Sequence, residues 1–287
     1  MAYKREGEVI ISRQNRRIVS LCKLSDRKVR EATGLFRFDG IKLLCEAIKR
    51  DVEIEAVYLQ HSATERVLER MHTLYGCGFE DIHATIFEVE DALFEKISEE
   101  NAPEGVITVA KYIDRFHKMY IIKKEGFKTA PPDVPEGPLL LLESVRDPGN
   151  VGTVIRTAAA LGVKHMIVSR DCADLYHPRT IRAAMGTLFA MPITRVDDLP
   201  ATVTGLRATG RRIFAAALDE RAARLGEHPF LWGDGVVIGN EGHGLSDAVI
   251  HACDGSLYIP MQADTESLNA GIAAALVMWE LGRARPE

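Results

Sequence analysis

The second half of the chain alternates nearly continuous apolar runs with segments of helical periodicity. Apolar runs bounded by turn residues predict five strands: Leu139–Glu143, His165–Ser169, Ile213–Leu218, Val236–Gly239 and Ser256–Ile259. The pattern also predicts a helix over Val151–Leu161 and a last helix from Leu268, with apolar positions one turn apart at Leu268, Ile272, Leu276 and Trp279. Apolar strands separated by helices predict an α/β fold, in which a parallel sheet is covered on both faces.

The first part of the chain has shorter elements of both kinds and predicts a small α/β domain. A basic helix capped by Ser12 runs to about Leu24, and three further helices and four strands follow it. These are Leu35–Asp39, Ile41–Arg50, Ile54–Leu59, Thr64–Tyr75, Thr85–Val89, Ala92–Ser98 and Gly105–Lys111. Four prolines and a glycine within Thr129–Pro138 predict an extended linker. We therefore expect an N-terminal domain over 1–125, a linker over 126–138 and a C-terminal domain over 139–287.

Composition and charge indicate the class of protein and the kind of partner. The 287 residues are 46% hydrophobic and 27% charged, which is typical of a globular chain and excludes a disordered or collagen-like one. No signal peptide or membrane span is predicted, and five scattered cysteines indicate reduced thiols in the cytoplasm rather than a metal site. Net charge is −5, yet residues 1–50 hold thirteen Lys/Arg against six Asp/Glu. That local excess suits a polyanion, although a solvated helix face explains it equally well.

Two glycine-containing loops follow predicted strands, where ligands bind in parallel sheets. In the first, Pro148-Gly149 forms a turn, Asn150 is a favourable helix N-cap, and the Arg156 side chain leans back toward the loop. A capped helix with a surface arginine explains that spacing equally well. In the second, three glycines over 239–244 let backbone N–H groups approach a ligand, although an empty turn is an alternative. Neither loop matches a dinucleotide fingerprint or a Walker A motif.

A third loop joins the last predicted strand to the last helix. Ile259-Pro-Met261 ends the strand, because proline cannot continue the hydrogen-bonded ladder. Ser267-Leu-Asn269 opens the helix, and Ser267 is a natural N-cap. If the three loops lie at the same edge of one sheet, they can form a single site.

Taken together, the loops resemble a known family. DPGNVGTVIR, VIGNEGHGLS and IPMQADTESLNAGIAAAL resemble, in order and spacing, the three motifs of the SpoU (TrmH) branch of the SPOUT RNA methyltransferases. IRAAMGTLFAMPI resembles the segment between the first two motifs. SRQNRRIVSLCKL and GLFRFDGIKLLCEAI resemble the small RNA-binding substrate domain of many members. Ala184 stands where many members have serine, and Ala270-Gly271 stands where Val-Ser is frequent. These departures bear on the expected substrate more than on the expected activity.

The resemblance implies a fold, a reaction and a set of site residues. It implies a C-terminal SPOUT domain with a trefoil knot, a homodimer, and transfer of a methyl group from S-adenosylmethionine to a ribose 2′-hydroxyl of rRNA or tRNA. The implied catalytic set is Asn150, Arg156, Glu241, Ser267 and Asn269. The implied cofactor set is Gly239, Asn240, Gly242, Ile259, Met261 and Leu268, and no metal is implied. The basic residues expected to bind RNA are Arg13, Arg16, Arg17, Lys23, Arg27, Lys28 and Arg30.

The role of Arg156 and the activity itself have alternatives. The family assigns Arg156 as proton acceptor, but a guanidinium stays charged in proteins, so Arg156 can instead stabilise a developing alkoxide or hold a phosphate. The rival functions are a non-catalytic RNA-binding protein, a SPOUT enzyme that methylates a base nitrogen, and a nucleotide-binding oxidoreductase. The intact polar motif positions favour ribose methylation over these three.

Overall fold

The chain divides into two compact units in the computed structural model, which describes residues 4–5, 8–113, 135–219, 221–262 and 267–284. The first unit is Met1–Ile113 with Tyr176–Ala190, and the second is Asp114–Leu175 with Met191–Glu287. Most of the predicted linker, up to residue 134, lies outside the described residues. The domain boundaries expected from the sequence therefore stay predictions.

A five-stranded mixed sheet forms the centre of the first unit. Its strands are β1 (Lys4–Arg5), β2 (Leu35–Asp39), β3 (Ile54–Gln60), β4 (Thr85–Val89) and β5 (Val106–Lys111), in the order β1-β4-β3-β5-β2. The helices in chain order are α1 (Arg16–Lys23), α2 (Arg27–Thr33), α3 (Ile41–Lys49), α4 (Thr64–Arg70) and α5 (Asp91–Ile97). Helix α4 continues as a π-helical turn, Met71–Tyr75. The strands predicted at Leu35–Asp39 and Thr85–Val89 are confirmed to the residue.

The two faces of this sheet carry separate hydrophobic clusters. Alternate residues of β3 point to opposite sides, as the period of two in a strand requires. Tyr58 packs with Phe87 and with Ile18 and Leu21 of α1, whereas the other face packs against α3 and α4. Helix α1 therefore covers one face of the sheet and α4 the other.

A seven-stranded parallel sheet forms the centre of the second unit. Its strands are β6 (Leu139–Leu142), β7 (His165–Ser169), β8 (Ile193–Val196), β9 (Ile213–Ala216), β10 (Ala223–Arg224), β11 (Gly235–Ile238) and β12 (Gly255–Tyr258). The spatial order is β10-β12-β9-β11-β6-β7-β8, and every pairing is parallel. The α/β class and the parallel sheet are confirmed. The trefoil knot stays a prediction.

Helices cover both faces of the parallel sheet. They are α6 (Pro148–Ala160), α8 (Leu199–Ala208), α9 (Asp247–Ala252) and α10 (Ala270–Arg283), while α7 (Pro178–Ala184) belongs to the first unit. Leu139, Leu141 and Val237 face the cluster formed with α8 and α9. Helices α6 and α10 pack together on the other face, and α10 contacts β11. Within the described residues, no helix has both the length and the apolar character that a membrane span requires.

The sequence pattern did not predict several short elements. Strands β8 and β10 and helices α2, α8 and α9 were not predicted, because two to ten residues hold too few periods to separate from a loop. The predicted N-cap of the first helix is also wrong. Asn15, not Ser12, caps α1, with its side chain accepting a hydrogen bond from the N–H of Arg17.

Candidate active site

The three motif loops meet at one edge of the parallel sheet. They follow β6, β11 and β12, and parallel strands place their carboxyl ends at the same edge. A cavity of about 600 Å³ opens there, within the size range of small-molecule sites. Its lining combines apolar side chains with loop backbone. It includes eight residues of the predicted set: Gly239, Asn240, Glu241, Gly242, Ile259, Met261, Ser267 and Leu268.

The glycine-rich loop after β11 is a tight turn that closes on itself. Asn240 and Gly244 exchange two backbone hydrogen bonds, 3.0 and 2.9 Å between nitrogen and oxygen. The Oδ1 atom of Asn240 also accepts a hydrogen bond from the N–H of Gly242 at 2.9 Å. A Cβ at Gly239 would lie 2.4 Å from the carbonyl carbon and oxygen of Gly244. Position 239 therefore requires glycine, because any side chain would force this turn open.

A second set of hydrogen bonds anchors that turn to the loop after β6. Asn240 Nδ2 donates to the Ser144 carbonyl oxygen at 2.8 Å. Ser144 has a φ of 56°, a left-handed conformation that non-glycine residues rarely adopt. Its hydroxyl donates to Asp171 at 2.6 Å, and Ser169 donates to the other oxygen of Asp171, also at 2.6 Å. Burial opposes ionisation of Asp171, but these hydroxyl donors lower its pKa below the ordinary value.

A directional chain of side-chain hydrogen bonds links all three loops. Asn150 Nδ2 donates to Glu241 Oε1, and Asn150 Oδ1 accepts a hydrogen bond from Asn269 Nδ2 at 3.0 Å. The Oδ1 atom of Asn269 accepts hydrogen bonds from the N–H groups of Gly271 and Ile272 at the start of α10. The chain thus runs from a helix N-terminus to a carboxylate. Its order fixes the orientation of both amide groups.

These contacts correct two predicted helix caps. Asp147, not Asn150, caps α6, with its side chain accepting a hydrogen bond from the N–H of Asn150 at 2.8 Å. Helix α6 begins at Pro148, because proline suits the first position of a helix. Asn269, not Ser267, caps α10. Asn150 is therefore free to link two loops, and Ser267 instead lines the cavity.

Arg156 lies apart from the hydrogen-bonded chain. It is exposed on α6, in a row with Asn150 and Thr153 at three-residue spacing. The structure shows no hydrogen bond or ion pair between its guanidinium and any residue that is described. It is not among the residues that line the cavity. Asn150 and Asn269 do not line the cavity either. Their hydrogen bonds connect them to Glu241, which does line it.

Residues outside the predicted catalytic and cofactor sets complete the cavity. The end of β9 and the residues after it contribute Ala216, Ala217 and Leu218, and Tyr258 contributes from β12. Leu245 and Ala273 add apolar surface. The sequence predicted the strand that this segment ends, but not its neighbours in the sheet. Its position beside β11 depends on strand order, which periodicity does not give.

The predicted RNA-binding residues differ in accessibility. Arg13, Arg16, Arg17, Lys23, Arg27 and Lys28 are exposed, and Arg27 forms an ion pair with Glu31 at 2.8 Å. Arg30 is a correction, because it is only 2% exposed. Its guanidinium donates to the carbonyl oxygens of Leu24 and Ser25, at 2.7 and 2.8 Å. Arg30 therefore stabilises the turn between α1 and α2 and is not available to a phosphate.

Comparison with known proteins agrees with this α/β fold. Residues 138–279 match the SpoU rRNA Methylase family, and residues 15–108 match the MRM3-like substrate binding domain. A Staphylococcus aureus protein named for the TrmH family of tRNA/rRNA methyltransferases is 33% identical over 194 residues, covering 64% of this chain and 73% of that protein. The chain belongs to the SpoU (TrmH) family of RNA methyltransferases.

Two further relatives extend the match over the whole chain. The 23S rRNA (guanosine(2553)-2′-O)-methyltransferase RlmP of Bacillus subtilis is 28% identical over 272 residues, which cover 95% of this chain and 98% of RlmP. The structure of an rRNA methyltransferase from Sinorhizobium meliloti with AdoMet bound has a TM-score of 0.77 at 24% identity. That match covers 96% of this chain and 97% of the other. The fold is thus shared over nearly the whole length of the two compared chains.

The hydrogen-bonded chain between the loops makes a prediction that does not depend on any ligand. Replacing Asn150→Asp removes the donor to Glu241 and places two carboxylates side by side, so we expect a loss of about 1–3 kcal/mol in the free energy of unfolding. Adding Glu241→Gln lets the side-chain amide at position 241 donate a hydrogen bond to the carboxylate at position 150. The double variant should therefore recover most of the lost free energy of unfolding. Chemical denaturation of the two single variants and the double variant measures this coupling.

Additive changes in the free energy of unfolding would contradict this coupling. If Asn150→Asp and Glu241→Gln act independently, the two side chains do not depend on one another in solution. Asp198→Asn, at the N-cap of α8, provides a control for the loss of a carboxylate elsewhere in the unit.

Proposed function

We propose that the protein transfers a methyl group from S-adenosylmethionine to a ribose 2′-hydroxyl of ribosomal or transfer RNA. The observation that supports this most strongly is the cavity at the three motif loops, because eight residues implied by the family motifs line it. RlmP is named as a 23S rRNA 2′-O-methyltransferase, and the Staphylococcus aureus relative is named for the TrmH family of tRNA/rRNA methyltransferases. The rival of a non-catalytic RNA-binding protein keeps the same fold and is separated from this proposal by experiment.

The cavity fits the cofactor in size and in chemistry. Ile238, Leu245 and Leu257 offer an apolar surface for a purine, and the 239–244 turn offers backbone N–H groups. Gly239, Asn240, Gly242, Ile259, Met261 and Leu268 are the proposed cofactor-binding residues. Bound there, S-adenosylmethionine would supply an electrophilic methyl group.

The polar residues at the cavity edge would position the reacting ribose. Glu241 borders the cavity and orients Asn150, which in turn orients Asn269. This arrangement fixes amide donors and acceptors before RNA binds, so that little reorganisation is needed at reaction. Ser267 adds a hydroxyl on the same lining. We propose these residues together with Arg156 as the catalytic set.

Arg156 is the proposed group that contacts RNA directly. A cation on the exposed face of α6 can hold the phosphate next to the target ribose through two parallel hydrogen bonds. The same charge stabilises negative charge that develops on the 2′-oxygen. Removal of the hydroxyl proton is then assisted without requiring a neutral guanidinium.

We propose residues 1–125 as the RNA substrate domain and 139–287 as the methyltransferase domain, joined by the linker over 126–138. The matches to a substrate binding domain and to the SpoU family support this division. We also propose a cytoplasmic location, which suits an RNA substrate and five unpaired cysteines.

The proposed assembly is a homodimer. Helix α10 exposes Ile272, Leu276 and Trp279 one turn apart, and Trp279 is 60% exposed. An apolar stripe of this kind on a helix favours contact with another protein surface. The stripe lies on the helix that packs against α6, the helix that carries Arg156.

Cofactor binding tests the proposed function directly. Calorimetric titration of the parent protein with S-adenosylmethionine should show saturable binding. Gly239→Ala should weaken it at least about tenfold, because a Cβ would collide with the Gly244 backbone. Gly255→Ala is the matched control, since its Cβ would meet only Phe214 at 3.9 Å. A folded parent that binds no S-adenosylmethionine would favour the non-catalytic RNA-binding protein.

The charge and shape of Arg156 can be separated by substitution. Arg156→Lys keeps the charge but loses the paired donors, so methyl transfer at saturating RNA should fall at least about tenfold. Arg170→Lys, on another exposed arginine, should leave the rate unchanged. Transfer of labelled methyl groups to total RNA measures both. Full activity of Arg156→Lys would refute the paired contact.

The dimer is tested by placing a charge on the apolar stripe. Leu276→Glu should convert a dimer of twice the chain mass into a monomer, because a buried carboxylate is costly. Leu231→Glu changes an exposed leucine elsewhere and should leave the dimer intact. Light scattering after size exclusion gives the mass. A monomeric parent, or dissociation by both variants alike, would contradict this interface.

A further inference from the structure

A groove in the first unit lies between α1 and the five-stranded sheet. It has a volume of about 480 Å³ and is bordered by α1 and by residues of β3, β4 and β5. Arg16, Arg17 and Lys23 contribute positive charge, and among the described lining residues Glu55 is the one carboxylate. The groove is therefore large enough for a small planar ligand and electrostatically suited to a negatively charged one.

The floor of the groove is aromatic. The Arg17 guanidinium lies over the ring of Phe87, 4.3 Å from its centroid, and Phe87 contacts Tyr58 at a centroid distance of 5.3 Å. The contact thus combines a guanidinium with an aromatic ring at the surface of the groove. Nucleobases that leave their helix stack on such arginine planes and aromatic rings.

Tyr58 supplies a polar group inside this apolar floor. The side chain lines the groove and is only 5% exposed, yet its hydroxyl makes no hydrogen bond to any residue within the described ranges. Burial raises the pKa of Tyr58 to about 12, although Arg17 and Arg37 act in the opposite direction. The hydroxyl therefore keeps its proton at neutral pH. The hydroxyl oxygen is not fully enclosed, so it can donate a hydrogen bond to a ligand that enters the groove.

We propose that this groove binds one unpaired nucleotide of the RNA substrate. The base stacks on the guanidinium of Arg17, its edge accepts or shares the hydroxyl proton of Tyr58, and Arg16 and Lys23 contact the flanking phosphates. The inference rests on the proposed action on RNA and gives the first unit a specific role. The groove recognises a base that is already unstacked, rather than only the charge of the RNA backbone.

Binding of the full-length protein to labelled RNA tests the groove. The probes are a short single-stranded RNA oligonucleotide and a blunt RNA duplex, measured by fluorescence anisotropy over a range of salt concentrations. Arg17→Lys keeps the charge but loses the stacking plane, so single-strand affinity should fall about tenfold while its salt dependence stays the same. Duplex affinity should change little.

Two control variants carry the same chemical changes on the opposite face of the sheet. Arg66→Lys on α4 matches Arg17→Lys, and Tyr75→Phe matches Tyr58→Phe. Tyr58→Phe should weaken single-strand binding about fivefold without lowering the melting temperature, because the lost hydroxyl has no partner within the described chain. A lower melting temperature would instead show that the hydroxyl is structural.

Three results would overturn the proposal. These are equal effects of Arg17→Lys and Arg66→Lys, equal losses for the oligonucleotide and the duplex, or unchanged binding by Tyr58→Phe. S-adenosylmethionine binding is measured on the same samples and should not change. If the parent binds no S-adenosylmethionine, the proposed function fails by itself. If the parent methylates RNA but the groove variants match their controls, only the groove proposal fails.

Discussion

The hydrogen-bonded chain from the α10 N-terminus through Asn269 and Asn150 to Glu241 is the constraint on which the site depends. Each member belongs to a different loop, and each amide must donate on one side and accept on the other. Such a chain has one satisfied arrangement, because reversing a single amide leaves two donors facing one another and two acceptors facing one another. It therefore fixes the relative positions of three loops that are far apart in sequence.

The parallel sheet makes this chain possible, and the 239–244 turn extends it. Strand β11 lies directly beside β6, so the loops after them begin within reach of one another. Asn240 then bonds to the Ser144 carbonyl, while Asp171 holds the Ser144 hydroxyl. A left-handed φ at a serine is unfavourable and persists where surrounding bonds fix it. Cavity shape thus depends on backbone geometry as much as on side chains.

The sequence predicted the strands better than the hydrogen-bond partners of the polar loop residues. Continuous apolar runs such as 139–142 and 165–169 have few alternatives to a buried strand. Asn150 and Ser267 were instead assigned as helix caps, because the same short polar side chain serves a cap or a contact with a distant loop. Arg30 was placed among exposed cations for a similar reason. Local spacing does not show that the carbonyls of the α1–α2 turn face it.

The local excess of positive charge in residues 1–50 explains how an acidic protein can act on a polyanion. Phosphate repulsion depends on local potential rather than on the net charge of −5. The exposed cations of α1 attract the backbone, whereas the cavity in the second unit is lined chiefly by apolar groups and loop backbone. Such a lining can discriminate a cofactor but offers little to tell one RNA from another. Selection of the RNA is therefore expected from surfaces outside the cavity, and the proposed groove would add selectivity for an unstacked base to the attraction of charge.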